Sequence, residues 1–115
     1  MSLPEYATVY NNFDAAALEA EILDGSLESG INVCHEICDK WAEDPQRVAL
    51  YYEKDDGGDG VLTFAELKEQ SARFANYLKS RGIGKGDRVA GLLPRSPELL
   101  VVIAGALRAG EVYQP

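Results

Sequence analysis

Histidine and cysteine are scarce in this chain, with one of the former, His35, and two of the latter, Cys34 and Cys38. With a single imidazole, no Ser/His/Asp arrangement stands out, and Cys34-His35-x-x-Cys38 lacks an evident fourth metal ligand. On a helix the two thiols share a face while His35 points about a third of a turn away. A disulfide between them would distort the turn, and the order of residues is the reverse of a haem-attachment signal. Both cysteines are therefore read as reduced core thiols, which suits a cytoplasmic location. Basic residues are also few. Eleven Lys and Arg stand against nineteen Asp and Glu, a net charge of −8. That balance opposes a nucleic-acid partner, whose binding rests on neutralising phosphates, and opposes a polybasic membrane contact. Long apolar runs are missing, because the longest, Leu99 to Leu107, is too short for a membrane span. No basic start followed by an apolar stretch marks a secretory signal. No repeat or low-complexity tract is found.

What is present is an ordinary globular composition, 46 % hydrophobic and 26 % charged, enough for one small domain with a real core. The first dozen residues carry little pattern, and Met1-Ser2-Leu3 is a stretch that a vector could supply in part. A helix is expected from Phe13 to Asp24, ended by Gly25, with Gly25–Gly30 as a polar linker. Asn32 then caps a helix whose apolar face is Cys34, Ile37, Cys38, Trp41 and Ala42, stopped at Asp44-Pro45. Val48 to Glu53 reads as a strand, the Gly- and Asp-rich run 55–60 as a turn, and Val61-Leu62 as the returning strand.

Thr63 with Glu66 forms a capping box, and Leu62 with Leu67 a hydrophobic staple. The helix they start buries Leu67, Phe74, Ala75 and Leu78 and stops at Gly82. A tight turn at Gly84–Asp87, a strand from Arg88 to Leu93 and a helix from Pro97 to Ala109 follow. That helix opens on Ser96-Pro97-Glu98 and closes on Gly110. Val112-Tyr113 begin another strand, so the fold class is α/β, with a β-hairpin, amphipathic helices and a βαβ half of a parallel sheet.

The last helix carries Leu99, Leu100, Val101, Val102, Ile103 and Leu107, and all six are expected to need burial. At about 1.5–3 kcal/mol each, the gross driving force is about 9–18 kcal/mol, with little preceding structure to cover them. The chain is therefore expected to be cut short at Pro115, and the piece to self-associate.

Two segments resemble ligand loops. Asp55 to Glu66 offers acids at positions 1 and 5, glycine at 6 and Glu at 12 of an EF-hand-like loop. Position 3 is Gly57, however, a strand-like segment leads in, and no second loop pairs with it. A solvated hairpin turn before a capped helix is the reading preferred over calcium. Gly82-Ile83-Gly84-Lys85-Gly86-Asp87 follows a helix and precedes a strand, the opposite of a nucleotide fingerprint, and lacks the Gly-Lys-Ser/Thr ending of a P-loop.

Three further segments, in order and at fitting separations, resemble the start of the adenylate-forming enzymes, which include acyl-CoA synthetases, firefly-type luciferases and peptide-synthetase adenylation domains. Leu62-Thr63-Phe64-Ala65-Glu66-Leu67 is similar to the family's Leu-Thr-Tyr-x-Glu-Leu. Gly84-Lys85-Gly86-Asp87-Arg88-Val89 resembles its Gly-Asp-x-Val turn and strand. Leu107-Arg108-Ala109-Gly110-Glu111-Val112-Tyr113-Gln114-Pro115 resembles Leu-Lys-Ala-Gly-x-x-Tyr-x-Pro, with Glu111 where a small residue is common. Asn32 through Ala42 is similar to the helix opening acetyl- and medium-chain acyl-CoA synthetases. Residues 1–30 are read from their own pattern as an N-terminal helix and linker; the resemblance covers Ile31 to Pro115 and implies 31–115 as the start of the AMP-binding large domain. It implies a parent ligase that joins a carboxylic acid to ATP and then to coenzyme A, with Mg²⁺ present. The matched motifs are structural in that family. Its phosphate loop, Tyr-Gly-x-Thr-Glu segment, ribose-binding Asp and C-terminal lysine have no match here. No catalytic, cofactor-binding or metal residue is therefore assigned, and the chain alone is expected to be inactive and to bind no cofactor. The alternative is a non-enzymatic structural or calcium-binding module built on Asp55–Glu66.

Overall fold

The computed structural model describes residues 4–115, so Met1-Ser2-Leu3 lie outside the described residues. The chain divides into two compact units, Met1–Ile31 and Asn32–Pro115.

The first unit holds α1 (Tyr6–Asn11) and α2 (Ala15–Ile22) where one helix from Phe13 to Asp24 was expected. Asp14 sets the difference. Its side chain accepts from the backbone N–H groups of Ala16 and Ala17, so the helix starts after it, and Leu23 is already extended. An Asp at the cap is a better helix start than Phe13, because it satisfies two of the four orphan donors. Within the linker, Gly30 donates to the Ser26 carbonyl at 2.9 Å.

In the second unit Asn32 caps as expected, its side chain accepting from the His35 N–H at 3.1 Å. Yet α3 covers only Val33–Ile37, because the backbone leaves helical geometry at Cys38 (φ −136°, ψ −62°) and re-forms as a 3₁₀ turn, Asp39–Trp41. The break keeps Cys34 and Cys38 in the core but turns Ile37 outward, leaving it 45 % exposed. Trp41 is half-buried rather than buried. Its indole N–H donates to the Glu36 carbonyl at 2.8 Å, and the Arg47 guanidinium lies 4.2 Å from its ring.

Strand β1 (Val48–Glu53) pairs antiparallel with β2 (Asp59–Thr63), Leu50 opposite Leu62 and Glu53 opposite Asp59. Helix α4 (Phe64–Ser80) has the full capping box, with Glu66 N–H on the Thr63 hydroxyl at 3.2 Å and Thr63 N–H on the Glu66 carboxylate at 2.8 Å. It ends in paired bonds from Gly82 to Lys79 and from Ile83 to Leu78, with Gly82 at φ +78°. That left-handed closure is the one glycine permits.

Strand β3 (Arg88–Ala90), α5 (Pro97–Ala109) and β4 (Val112–Gln114) form the βαβ unit, with Arg88 beside Val112 and Ala90 beside Gln114 in parallel. β3 is three residues long, where Arg88 to Leu93 was expected. Beyond Gly91, whose N–H reaches the Gln114 carbonyl, no partner strand continues the ladder among the described residues. Helix α5 crosses α4 through its small residues. Ala104, Gly105 and Ala106 are buried, facing a helix whose own buried set includes Ser71 and Ala75. The six large side chains expected to be buried, Leu99 to Ile103 and Leu107, are each half-buried instead. Leu100 and Val101 rest on the core of Cys34, Cys38, Leu62, Leu67 and Ala104. A close helix crossing needs small residues at its centre, so the bulky ones flank it.

Candidate functional site

The residues that invited a ligand reading are used by the backbone. In the hairpin loop, the Asp56 carboxylate accepts from the Gly58 N–H at 3.0 Å, and Lys54 bonds both to Gly57 and to Gly58 across the turn. Gly57 sits at φ +81°, and Asp59 already belongs to the β2 ladder opposite Glu53. The segment entering the loop is the strand β1. Among the described residues, no three His, Cys, Asp or Glu side chains converge on a common point. In the turn before β3, the Asp87 carboxylate accepts from the Gly84 N–H at 2.8 Å, and its carbonyl accepts from the Val112 N–H at 2.8 Å. These contacts define a turn that docks β3 on β4.

Cys34 and Cys38 are free and buried, and His35 is half-buried on α3. The Cys34 thiol donates to the Ala104 carbonyl at 3.5 Å and Cys38 to the Phe64 carbonyl at 3.9 Å. Burial pushes both thiols up, Cys38 to about 11 with a smaller push from Asp39. Thiols held protonated are poor nucleophiles and poor metal ligands.

Sequence reasoning did not anticipate the polar cluster beside them. Arg108 grips Asp39 with two bonds of 2.8 and 2.5 Å, and its Nε donates to the Ser71 hydroxyl at 3.3 Å. One guanidinium thus ties α5 to α4 and to the 3₁₀ turn. The hydrogen bonds from Arg108 hold the Asp39 carboxyl below its ordinary range, against a smaller opposing effect of burial. A lone arginine in the apolar run of α5 is the signal that could have revealed the cluster.

Glu111 is a second surprise. It is 4 % exposed, and neither of its carboxyl oxygens has a hydrogen-bond partner, nor does the Tyr113 hydroxyl. Desolvation, helped by the nearby Asp87, raises its pKa.

An open cleft of about 480 Å³ lies between the hairpin, α4 and the start of α5. Lys54 and Arg95 meet Glu53, Glu66 and Glu98 in its lining, so it presents no single sign of charge. Glu98 lies in the first turn of α5. A bond from the Ser96 hydroxyl, then one from its own backbone N–H, lowers its pKa.

A capped hairpin-helix joined to a β3–α5–β4 crossover thus carries the sequence motifs as turns and caps. The family model for AMP-binding enzymes matches residues 38–115, and the chain belongs to that family. It is 42 % identical over 118 aligned residues to the acetyl-coenzyme A synthetase of Bacillus subtilis, covering 99 % of this chain and 20 % of the relative. Acetyl-coenzyme A synthetase 1 of Candida albicans is 35 % identical over 90 % of the chain and 15 % of the relative. The crystal structure of Brucella canis acyl-CoA synthetase is similar with a TM-score of 0.88 and 45 % identity, over 98 % of this chain and 20 % of that one. The mixed α/β architecture is thereby that of an adenylate-forming enzyme. The chain spans a fifth or less of the length of these relatives.

Proposed function

We propose that residues 1–115 are the N-terminal scaffold of an AMP-forming acyl-CoA synthetase. In this reading 1–30 are a helical lead-in and 31–115 the start of the AMP-binding large domain. The parent enzyme joins a small carboxylic acid to ATP, releases pyrophosphate, and passes the acyl group from AMP to the thiol of coenzyme A. The chemistry explains the two steps, because a carboxylate is a poor electrophile until its oxygen carries a good leaving group. Mg²⁺ and positive side chains stabilise the transferring phosphates.

The observation that carries the scaffold role is how the motif residues are used. Thr63 and Glu66 cap each other, Asp87 holds its turn, and Gly110 adopts φ +80° to close α5. Thr63, Glu66 and Asp87 each spend their polar atoms on a cap or a turn, and we assign no residue of this chain to ATP, Mg²⁺, coenzyme A or catalysis. Cys38, held near 11, does not suit a nucleophile either. No described helix is long and apolar enough to cross a membrane, which fits a cytoplasmic enzyme. The half-buried α5 and the open edges of β3 and β4 favour self-association of the 115-residue chain when it is studied alone.

The test is the full synthetase chain, supplied with ATP, Mg²⁺, coenzyme A and a series of short and medium carboxylic acids. Acid-dependent loss of free coenzyme A thiol, matched by AMP, is expected. Formation of ADP and phosphate instead of AMP and pyrophosphate contradicts the assignment.

A further inference from the structure

We infer that Tyr6, Val9, Tyr10 and Phe13 form a docking face covered, in the full synthetase, by an apolar surface from the part of that chain outside residues 1–115. The inference rests on the synthetase reading above. Tyr6, Val9 and Tyr10 stand at i, i+3 and i+4 on one face of α1, and Phe13, just past the end of that helix, lines the same shallow pocket. All four are open, at 77, 47, 69 and 63 % exposure. Helix α1 contains no charged residue, so nothing on it selects a charged partner. The Tyr6 and Tyr10 rings stack with centroids 5.8 Å apart. Aromatic rings with a polar tip supply large contact area at low entropic cost, as buried interfaces require.

A second observation says that this face is incomplete as it stands. No described residue of the first unit is buried. Helices of six and eight residues are too short to persist on propensity alone, and helices in proteins are held chiefly by burying an apolar face. Beside Phe13 a shallow groove continues onto α2, with Ala17 and Leu18 on its far wall.

Two arguments choose the occupant. The match to Brucella canis acyl-CoA synthetase takes in 98 % of this chain, including the short helices, yet only 20 % of that protein. The same elements are thus retained where four times as much additional chain is at hand. A second copy is the weaker choice on area. Three rings of roughly 200 Å² each, about two-thirds exposed, offer about 400 Å² per copy. A stable dimer takes about 800 Å² per partner. A tethered surface needs less, because the linkage supplies the effective concentration.

Hydrogen exchange of the backbone amides of residues 7–13 tests the proposal, in the 115-residue chain and in the full synthetase at one pH. At least tenfold slower exchange is expected in the full chain, with near-free exchange in the shorter one. Tyr10→Ser with Phe13→Ser in the full chain should restore fast exchange at α1 while acid-dependent ATP–pyrophosphate exchange persists. Fast exchange in both chains overturns the docking face. Equal protection in both chains does so too, and so does protection of the 115-residue chain that grows with concentration, which assigns the face to a second copy. A full chain with synthetase activity and an unprotected α1 refutes only this inference, whereas one without that activity refutes the reading beneath it.

Discussion

Replacing Gly105 with alanine should destabilise the protein, although alanine is the better helix former. Gly105 lies inside α5 and is buried. Substitution by alanine at an exposed interior helical site gains about 1 kcal/mol of propensity. Here an added Cβ would stand 2.6 Å from Cδ1 of Phe74 and 3.0 Å from the Ser71 carbonyl oxygen. The half-buried Phe74 ring can turn aside, but the carbonyl belongs to the α4 backbone and moves only if the helix does. Comfortable C···O contacts begin near 3.3 Å, so α4 and α5 must separate by a few tenths of an ångström along their whole crossing. Overpacking of that kind costs about 1–3 kcal/mol. Set against the propensity gain of about 1 kcal/mol, the net loss is about 0–2 kcal/mol, and Gly105→Leu should lose considerably more. Urea denaturation followed by Trp41 fluorescence reads the change as a lower midpoint with unaltered slope. Gly84→Ala is the control, since Gly84 has a negative φ and nothing within 4 Å of its Cβ position, and should be neutral or slightly stabilising. A midpoint raised by Gly105→Ala would refute the close-crossing argument.

Three further outcomes are expected. Arg108→Met strands the Asp39 carboxylate, about a fifth exposed, and should cost about 2–3 kcal/mol at neutral pH. The depressed Asp39 pKa places that stabilisation above the ordinary value of 3.8, so it fades as pH falls below it and the variant's loss should shrink in acid. Acid titration of both stabilities checks the convergence. Glu111 has the opposite sign, because its raised pKa means that stability falls as pH climbs from about 4.5 through the folded value. Glu111→Gln should remove that decline and be the more stable protein at pH 7 by thermal melting. A variant that melts lower there contradicts the burial argument. Val112→Lys places a charge on the 54 % exposed side chain of β4 while leaving its N–H on the Asp87 carbonyl. The lysine should reduce self-association in light scattering, as edge lysines do. An unchanged mass would move the contact elsewhere.

The elements most legible in the sequence are those whose ends carry their own chemistry. Thr63 and Glu66 start α4 where expected because both halves of the capping box lie within four residues, and Gly82 and Gly110 end α4 and α5 because few other residues adopt their conformation at so little cost. The hairpin followed from its Gly- and Asp-rich turn for the same local reason. What was not legible depends on distant residues. The helix after Asn32 breaks at Cys38, which lets Asp39 turn toward Arg108 sixty-nine residues away, and no spacing rule registers that pair. The apolar content of α5 suggested that its large side chains make the core, whereas the crossing with α4 selects Ala104, Gly105 and Ala106. Helix α1 was invisible because Tyr6–Asn11 lacks a capping side chain, and its apolar stripe is left open. Of the candidate site, sequence placed the motifs but not their partners. The contacts on which the scaffold proposal rests, such as Asp87 on Gly84 and Val112, are visible only in three dimensions.

Acid-dependent exchange between ATP and labelled pyrophosphate, run side by side on the 115-residue chain and on the full synthetase, tests the central claim most directly. Exchange should be absent from the shorter protein with every acid tried, and present in the full chain with some short or medium-chain acid. Robust exchange by residues 1–115 alone would show that catalytic groups lie within this segment, and no exchange by the full chain with any acid would contradict the synthetase assignment itself.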